Sequence, residues 1–197
     1  MDKVKKNILE LTRITRDDYL RLRKLPLSVM ADNVRSAQNI GAVLRTSDAL
    51  LVREVIMGGI TAVPPSPEIS KTALGAEESV SWRYVSDPYK EALRLQQEEG
   101  VKIMVLEQAH NSVMLQDLFL PEDREGESPR QYLLVIGNEV NGVDQRIVDI
   151  ADYVIEIPMH GIKHSLNVAV STGMTLWQLY TILYPRLNKE GNKEGNM

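Results

Sequence analysis

The fold is decided by the stretch Ile155-Glu156-Ile157-Pro158-Met159-His160-Gly161-Ile162-Lys163-His164-Ser165-Leu166-Asn167, which continues as an apolar segment to Tyr184. The β-branched residues that open it are typical of a strand, and the proline and glycine that follow end that strand. Beyond Asn167, apolar residues recur every three or four positions, which predicts a helix. They are Ala169, Val170, Gly173, Leu176, Trp177, Tyr180, Leu183 and Tyr184. The other faces are also apolar, so we expect protein or another subunit to surround this helix nearly completely. The polar turn between the two buried elements is therefore the best candidate for a site.

Length and composition predict one cytoplasmic domain. The chain has 197 residues, 43% of them hydrophobic, which is enough for one core. It contains no cysteine, so disulfides and thiolate metal sites are excluded. The N-terminal residues are charged, and polar residues interrupt the longest apolar run, so neither a signal peptide nor a membrane span is expected.

Charge is spread unevenly along the chain. The formal net charge is -4, yet residues 1–30 contain eight basic and four acidic side chains, so the remainder carries -8. A local basic segment is compatible with binding to a polyanion such as RNA. A solvated amphipathic helix explains the same charges equally well.

Apolar runs alternate with amphipathic segments from residue 27 onward. Strands are predicted at 27–31, 54–57, 80–85, 102–106, 132–136 and 154–157, and helices at 39–50, 88–99 and 146–151. Residues 71–78 have a mixed pattern. The alternation predicts an α/β domain with a parallel sheet, in which ligands bind at the carboxyl ends of the strands. Three polar loops fall at those ends, 106–108, 137–143 and 158–167.

Common catalytic motifs are missing. The sequence has no Walker loop, no GxGxxG and no GxSxG, which weakens the nucleotide-binding and serine-hydrolase interpretations. His160 and His164 have a spacing that could hold zinc, but they lie in a turn next to Pro158 and Gly161. We therefore expect no metal site.

Several polar residues are candidates for chemistry, and each has an ordinary structural alternative. Arg45 lies off the apolar stripe of its helix, but it could simply pair with Asp48 one turn later. Glu139 could cap the helix that follows it. Ser165 or Asn167 could cap the terminal helix.

Together, three segments resemble the motifs of the SPOUT RNA methyltransferases, most closely the TrmH (SpoU) branch. They are Asn39-Ile-Gly-Ala-Val-Leu-Arg45-Thr, Ile136-Gly-Asn-Glu139-Val-Asn-Gly142-Val and Ile157-Pro-Met-His-Gly161-Ile-Lys-His-Ser165-Leu-Asn167-Val. The resemblance spans about residues 27–184. It implies a parallel-sheet α/β fold with a C-terminal deep trefoil knot, in which the terminal helix is threaded through a preceding loop. It also implies S-adenosylmethionine bound in the knot, and a homodimer.

The resemblance also implies a division of the chain and a set of site residues. The methyltransferase domain would occupy residues 26–186, after a basic helical extension at 1–25 and before a disordered tail at 187–197. The implied cofactor pocket consists of Leu106, Glu107, Gly137, Asn138, Ile157, Met159, Ser165, Leu166 and Asn167. The implied catalytic residue is Arg45, supported by Asn39, Glu139, Ser165 and Asn167.

The implied activity is methyl transfer to a ribose 2′-hydroxyl of tRNA or rRNA. Two alternatives stay open: a knotted RNA-binding or assembly protein without catalysis, and a methyltransferase acting on a small molecule or a protein. The sequence departs from the family pattern at Val140, where glycine is frequent. It also shows no separate RNA-binding domain, so only the basic segment and the short tail could select the RNA.

Overall fold

A seven-stranded parallel sheet forms the centre of the molecule. The computed structural model describes residues 4–7, 10, 14–122 and 130–194. The strands are β1 (Leu27–Asp32), β2 (Glu54–Gly58), β3 (Trp82–Val85), β4 (Lys102–Leu106), β5 (Val113–Met114), β6 (Tyr132–Ile136) and β7 (Tyr153–Glu156). Their order in the sheet is β3-β2-β1-β6-β4-β7-β5, with every neighbouring pair parallel. The α/β parallel-sheet prediction is confirmed.

Seven α-helices accompany the sheet within the part of the chain that the structure describes. They are α1 (Arg16–Arg21), α2 (Ala37–Ala49), α3 (Pro67–Ala73), α4 (Ala76–Ser79), α5 (Pro88–Glu99), α6 (Gln145–Ile150) and α7 (Val168–Glu194). A short 3-10 helix at Leu115–Asp117 follows β5.

Both faces of the sheet are covered, because successive side chains of a strand point to opposite sides. Leu134 and Ile136 of β6 pack into one core with α2, α3 and α7. Leu133 and Val135 of the same strand pack into a second core with α5 and α6. All five residues of β6 are buried, as its continuous apolar run predicts.

Most predicted elements are confirmed, and those at 88–99, 102–106 and 132–136 have the predicted bounds. The sequence missed β5, whose two residues are too few for an alternation pattern. The mixed segment 71–78 contains the end of α3 and most of α4, which meet at Leu74, a residue with a left-handed φ of 53°.

The two chain ends differ in part from the prediction. Within the predicted helical extension at 1–25, α1 is the one helix among the described residues, and residues 1–3, 8–9 and 11–13 lie outside them. Residues 187–194, predicted to be disordered, continue α7 as far as Glu194. The domain limits themselves and the trefoil knot stay predictions.

This chain covers the terminal helix on one side only, so the described residues do not by themselves provide the nearly complete surroundings expected from protein or another subunit. Leu176, Leu179 and Leu183 are buried in the core shared with α2. Val170 and Trp177 are 54% and 58% exposed on another side of the helix. No helix among the described residues is long and apolar enough to cross a membrane.

The contact between α2 and α3 depends on Gly41. A Cβ added there would overlap Thr72 Oγ1 and the carbonyl oxygen of Ile69. We expect Gly41→Ala to lower the free energy of unfolding by about 1–3 kcal/mol, the usual cost of overpacking. Gly173→Ala is the matched control, because nothing lies within 4 Å of its added Cβ. Denaturant melts of both variants decide the matter, and equal stability of the two would contradict this account of the packing.

Candidate active site

A cavity of about 490 Å³ opens at the carboxyl edge of the sheet. The loops that follow β4, β6 and β7 surround it, which are the three loops expected there. Its lining includes eight of the nine residues predicted for the cofactor pocket: Leu106, Glu107, Gly137, Asn138, Ile157, Met159, Ser165 and Leu166. Asn167 is the exception. The sequence missed several further lining residues, among them Glu156 at the end of β7 and Val168 at the start of α7.

The loop after β6, residues 137–142, folds back on itself. Asn138 and Gly142 exchange backbone hydrogen bonds of 3.3 and 3.0 Å, and Asn138 Oδ1 accepts the N–H groups of Val140 and Asn141 at 3.0 and 2.8 Å. A Cβ at Gly137 would overlap the backbone of Gly142 and Val143. The tight loop therefore requires glycine at position 137.

Val140, the departure from the family pattern, fits this loop without strain. Left-handed φ values outside glycine occur only at Asn33, Leu51, Leu74 and Asn111 among the described residues. The Val140 side chain is 88% exposed at the edge of the cavity. The replacement thus changes the surface of the loop and leaves its backbone intact.

Glu107 attaches the loop after β6 to the end of β4. Its Oε2 accepts the Val143 N–H at 3.1 Å, and its Oε1 accepts the Gln108 N–H at 2.9 Å. Gly142 lies against this carboxylate with a left-handed φ of 67°, and an added Cβ would overlap Glu107 Oε2. A glycine is therefore favoured at 142 both by backbone conformation and by space.

Three residues from the three sequence motifs are joined by hydrogen bonds beside the cavity. Asn39 Nδ2 donates to Glu139 Oε1 at 2.6 Å, and Asn167 Nδ2 donates to Asn39 Oδ1 at 3.1 Å. Asn167 Oδ1 also accepts the N–H groups of Ala169 and Val170, so Asn167 caps α7. The start of α2, the loop after β6 and the start of α7 are thereby tied together.

Two of the ordinary structural explanations are wrong in this structure. Asp144, rather than Glu139, caps α6 by accepting the Arg146 N–H at 2.9 Å. Asp48 accepts Ser79 Oγ at 2.6 Å and makes no ion pair with Arg45. For Asn167 the capping explanation holds, and its amide group has the second role described above.

Arg45 lies apart from the cavity. Its side chain is exposed on α2, and the structure shows no hydrogen bond or ion pair between it and any described residue. Asn39, Asn167 and Arg45 are absent from the cavity lining, whereas Glu139 and Ser165 belong to it. The single chain thus assembles the predicted supporting residues and leaves the Arg45 guanidinium free.

The sequence analysis did not single out Asp32, which lies at the carboxyl end of β1. The Asp32 side chain is only 2% exposed, and its Oδ2 accepts the Asp144 N–H at 2.8 Å. Burial raises the pKa of the Asp32 carboxyl, although the Asp144 hydrogen bond opposes that shift. Its position directly after a predicted strand, where ligands bind in such folds, was the available signal.

The two histidines of the third motif lie in the exposed loop after β7. Gln108 Nε2 donates to the His164 carbonyl oxygen at 2.7 Å, which links this loop to the loop after β4. Across the described residues, no group of three or more His, Cys, Asp or Glu side chains is arranged to hold a metal ion.

Comparison with known proteins relates the chain to RNA-modifying enzymes. The model of the SpoU rRNA Methylase family matches residues 26–177. A tRNA (guanosine(18)-2′-O)-methyltransferase of Aquifex aeolicus is 33% identical over 162 residues, which are 82% of this chain and 72% of that enzyme. A 23S rRNA (guanosine-2′-O-)-methyltransferase of Neisseria meningitidis is 32% identical over 79% of this chain, but the match spans only 58% of the relative's length.

Solved structures show the same architecture. The A. aeolicus TrmH/SpoU tRNA modifying enzyme superposes with a TM-score of 0.70 and 30% identity, covering 84% of this chain and 79% of that one. An rRNA methyltransferase from Sinorhizobium meliloti, solved with AdoMet bound, superposes with a TM-score of 0.68 and 25% identity. That match covers 83% of this chain and 58% of the other.

Proposed function

The chain belongs to the SpoU rRNA methylase family, and on that premise we propose that it transfers methyl groups from S-adenosylmethionine to ribose 2′-hydroxyls of tRNA or rRNA. One observation carries the proposal. The hydrogen-bonded line Asn167–Asn39–Glu139 brings the three motifs together at the edge of the cavity. A protein that only binds RNA has no need for that arrangement beside a cavity of cofactor size.

The cavity suits S-adenosylmethionine in size and chemistry. Its volume lies within the range of about 300–1,000 Å³ that is usual for cofactor pockets. Apolar side chains such as Leu106 and Ile157 lie beside the polar backbone of the 137–142 loop, as an adenosyl group requires. The carboxylates of Glu107, Glu139 and Glu156 give the lining a negative charge, which favours a cationic ligand.

Arg45 is the residue we assign to the acceptor. When bound, S-adenosylmethionine supplies an electrophilic methyl group for in-line attack by the ribose oxygen. A guanidinium stays protonated in proteins and is therefore a poor general base. Its planar fork is suited to binding a phosphate, so Arg45 would clamp the phosphate next to the ribose and stabilise negative charge on the attacking oxygen. The proton would leave to phosphate or water.

The supporting residues act on geometry. Asn39 holds Glu139 from one side and receives Asn167 from the other, so these three side chains fix the start of α2 relative to the cavity. Arg45 lies on the same helix as Asn39. The hydrogen bonds of Asn39 would therefore help to position the Arg45 guanidinium for binding RNA. Ser165 at the cavity wall would contact the cofactor or the ribose.

We propose that the exposed side of α7 is covered by a second copy of the chain. Val170, Met174 and Trp177 are 54%, 45% and 58% exposed on α7, and Leu166, two residues before the helix, continues this apolar row and is 40% exposed. Leu166 also lines the cavity, so a dimer contact along this row would border the site. Leu183 is buried inside the chain and is not part of this contact. The expected acceptors, tRNA and rRNA, imply that the protein acts in the cytoplasm.

Gly137→Ala should weaken S-adenosylmethionine binding at least about tenfold, because the new Cβ would displace the backbone at 142–143, which forms part of the cavity wall. Gly161→Ala is the control, since nothing lies within 4 Å of its added Cβ. Calorimetry measures both affinities, and thermal melts check that both variants fold. Wild-type affinity in Gly137→Ala would place the cofactor elsewhere.

Arg45→Ala should keep cofactor binding and lose methyl transfer by at least about a hundredfold, because the guanidinium would act on the acceptor in the transition state. Arg45→Lys should be nearly as inactive, since an ammonium group cannot bind two oxygens in one plane. Arg53→Ala, an exposed arginine near the amino end of β2, controls for lost charge. Single-turnover assays with labelled cofactor and bulk tRNA or rRNA measure the rates. Normal turnover in either Arg45 variant would remove Arg45 from the mechanism, and no transfer by the wild type would favour the non-catalytic alternative.

Trp177→Glu should convert the proposed dimer to monomers, because it places a charge in the apolar row that the second copy would cover. Tyr84→Glu on β3 alters an equally exposed aromatic residue, 53% against 58%, away from α7 and should leave the dimer intact. Light scattering at micromolar concentration measures the mass. A monomeric wild-type protein would refute the proposal.

A further inference from the structure

Asp32 is a buried carboxylate outside the cavity lining, attached to the loop that forms one wall of the cavity. It lies at the carboxyl end of β1, and its side chain is 2% exposed. Its Oδ2 accepts the backbone N–H of Asp144 at 2.8 Å, and its Oδ1 accepts Asn33 Nδ2 at 2.7 Å. Because Asp32 is not among the residues that line the cavity, any effect it has on a ligand must pass through the protein.

The residue before Asp144 is held in the same manner from the opposite side. The Val143 N–H donates to Glu107 Oε2 at 3.1 Å. Asp32 is the last residue of β1, and Glu107 comes directly after β4. These two strands flank β6 in the sheet. Two carboxylates from neighbouring strands therefore hold two consecutive N–H groups where the loop after β6 ends.

We propose that Asp32 is a positioning residue for cofactor binding, which with Glu107 clamps the N–H groups of 143 and 144 and so sets the shape of the 137–142 wall. This inference rests on the proposed function, because it assigns S-adenosylmethionine to that wall. Hydrogen bonds to ionised acceptors are about twice as strong as neutral ones, so two of them on adjacent residues restrain a loop effectively. The loop also carries Glu139, which bonds to Asn39 at 2.6 Å, so the clamp bears on both parts of the site.

Stability is a poor explanation for a carboxylate at this position. Burial raises the pKa of Asp32, which means that folding disfavours its ionised form. The folded state then binds the proton more tightly than the unfolded state, so ionised Asp32 lowers stability as the pH rises from the ordinary aspartate pKa through the raised one. By this measure a neutral side chain would destabilise the folded state less than an ionised one. The proposed role of the Asp32 carboxylate is therefore to hold the Asp144 N–H.

Asp152, just before β7, provides a control whose carboxylate also accepts a strand N–H, although the residue is exposed whereas Asp32 is buried. Its Oδ2 accepts the Ile103 N–H at 2.9 Å and its Oδ1 accepts Lys102 Nζ at 2.8 Å, near the amino end of β4. Burial alone would raise the pKa of Asp152, but these hydrogen bonds and one from Gln96 outweigh it and lower the pKa. Ionised Asp152 therefore adds stability, which is lost as the pH falls through its lowered pKa.

The test compares Asp32→Asn with Asp152→Asn. We expect Asp32→Asn to bind S-adenosylmethionine about tenfold more weakly by calorimetry, with a melting temperature close to that of the wild type. Asp152→Asn should melt at a lower temperature and bind the cofactor normally. Unchanged affinity in a folded Asp32→Asn, or equal loss of affinity in both variants, would overturn the proposal.

A second pair of variants removes the donor and leaves Asp32 in place. Asp144 has a φ of -52°, within the range that a proline ring imposes, so Asp144→Pro removes the N–H that Asp32 accepts. Asp144→Ala keeps this N–H and removes the side-chain cap of α6 and the ion pair with Arg146, both of which the proline variant also lacks. The proline variant should lose affinity about tenfold relative to the alanine variant, and equal affinities would overturn the clamp even if Asp32→Asn failed to fold.

Amide hydrogen exchange without cofactor separates this inference from the proposed function. Asp32→Asn should exchange faster across residues 137–144, and Asp152→Asn should not. A wild-type protein that binds no S-adenosylmethionine would refute the proposed cofactor, whereas unchanged exchange in Asp32→Asn would refute the clamp.

Discussion

The site depends on one constraint: in the segment that follows the central strand of the buried parallel sheet, the backbone N–H groups need hydrogen-bond acceptors. β6 lies between β1 and β4, so the loop that follows it emerges in the middle of the carboxyl edge. A buried N–H without a partner costs about 1–3 kcal/mol. Here the N–H groups of residues 143 and 144 donate to carboxylates at the ends of the two neighbouring strands. The preceding loop, residues 137–142, is closed by hydrogen bonds to the Asn138 side chain. The wall of the cavity is the result.

The glycines of the second motif follow from the same constraint. A loop held this tightly brings Gly137 against the backbone of residues 142 and 143, and Gly142 against a carboxylate. Side chains are excluded at both positions by space, and at Gly142 also by a left-handed backbone. Under the proposed function, this loop would present mainly backbone groups to the cofactor, which fits a motif rich in turn residues.

Three of the catalytic candidates connect this loop to the starts of α2 and α7. Asn39, Glu139 and Asn167 are tied to one another, whereas Arg45 is exposed and unpaired among the described residues. The hydrogen-bonded line connects three parts of the chain at the cavity edge, and under the proposed function the unpaired arginine would bind the RNA acceptor. Leu166 lines the cavity and continues the exposed apolar row of α7. The proposed second copy of the chain would therefore border the cavity.

The sequence by itself determined the parallel α/β class, most strands and helices, and the three loops around the cavity, and eight of the nine residues predicted for the cofactor pocket line that cavity. These follow from local rules, since apolar runs such as 132–136 bury strands and the turn residues after them stop at the carboxyl edge. Only the tertiary structure decided that Asn39 forms a hydrogen bond with Glu139, 100 residues away. It also decided that Asp48 accepts a hydrogen bond from Ser79 and makes no ion pair with Arg45, and that one side of α7 is exposed. Asp32 belongs to the same group, because its partner lies 112 residues away. Such contacts depend on strand order, and strand order is set by the packing of the whole sheet, which no local pattern in the chain records.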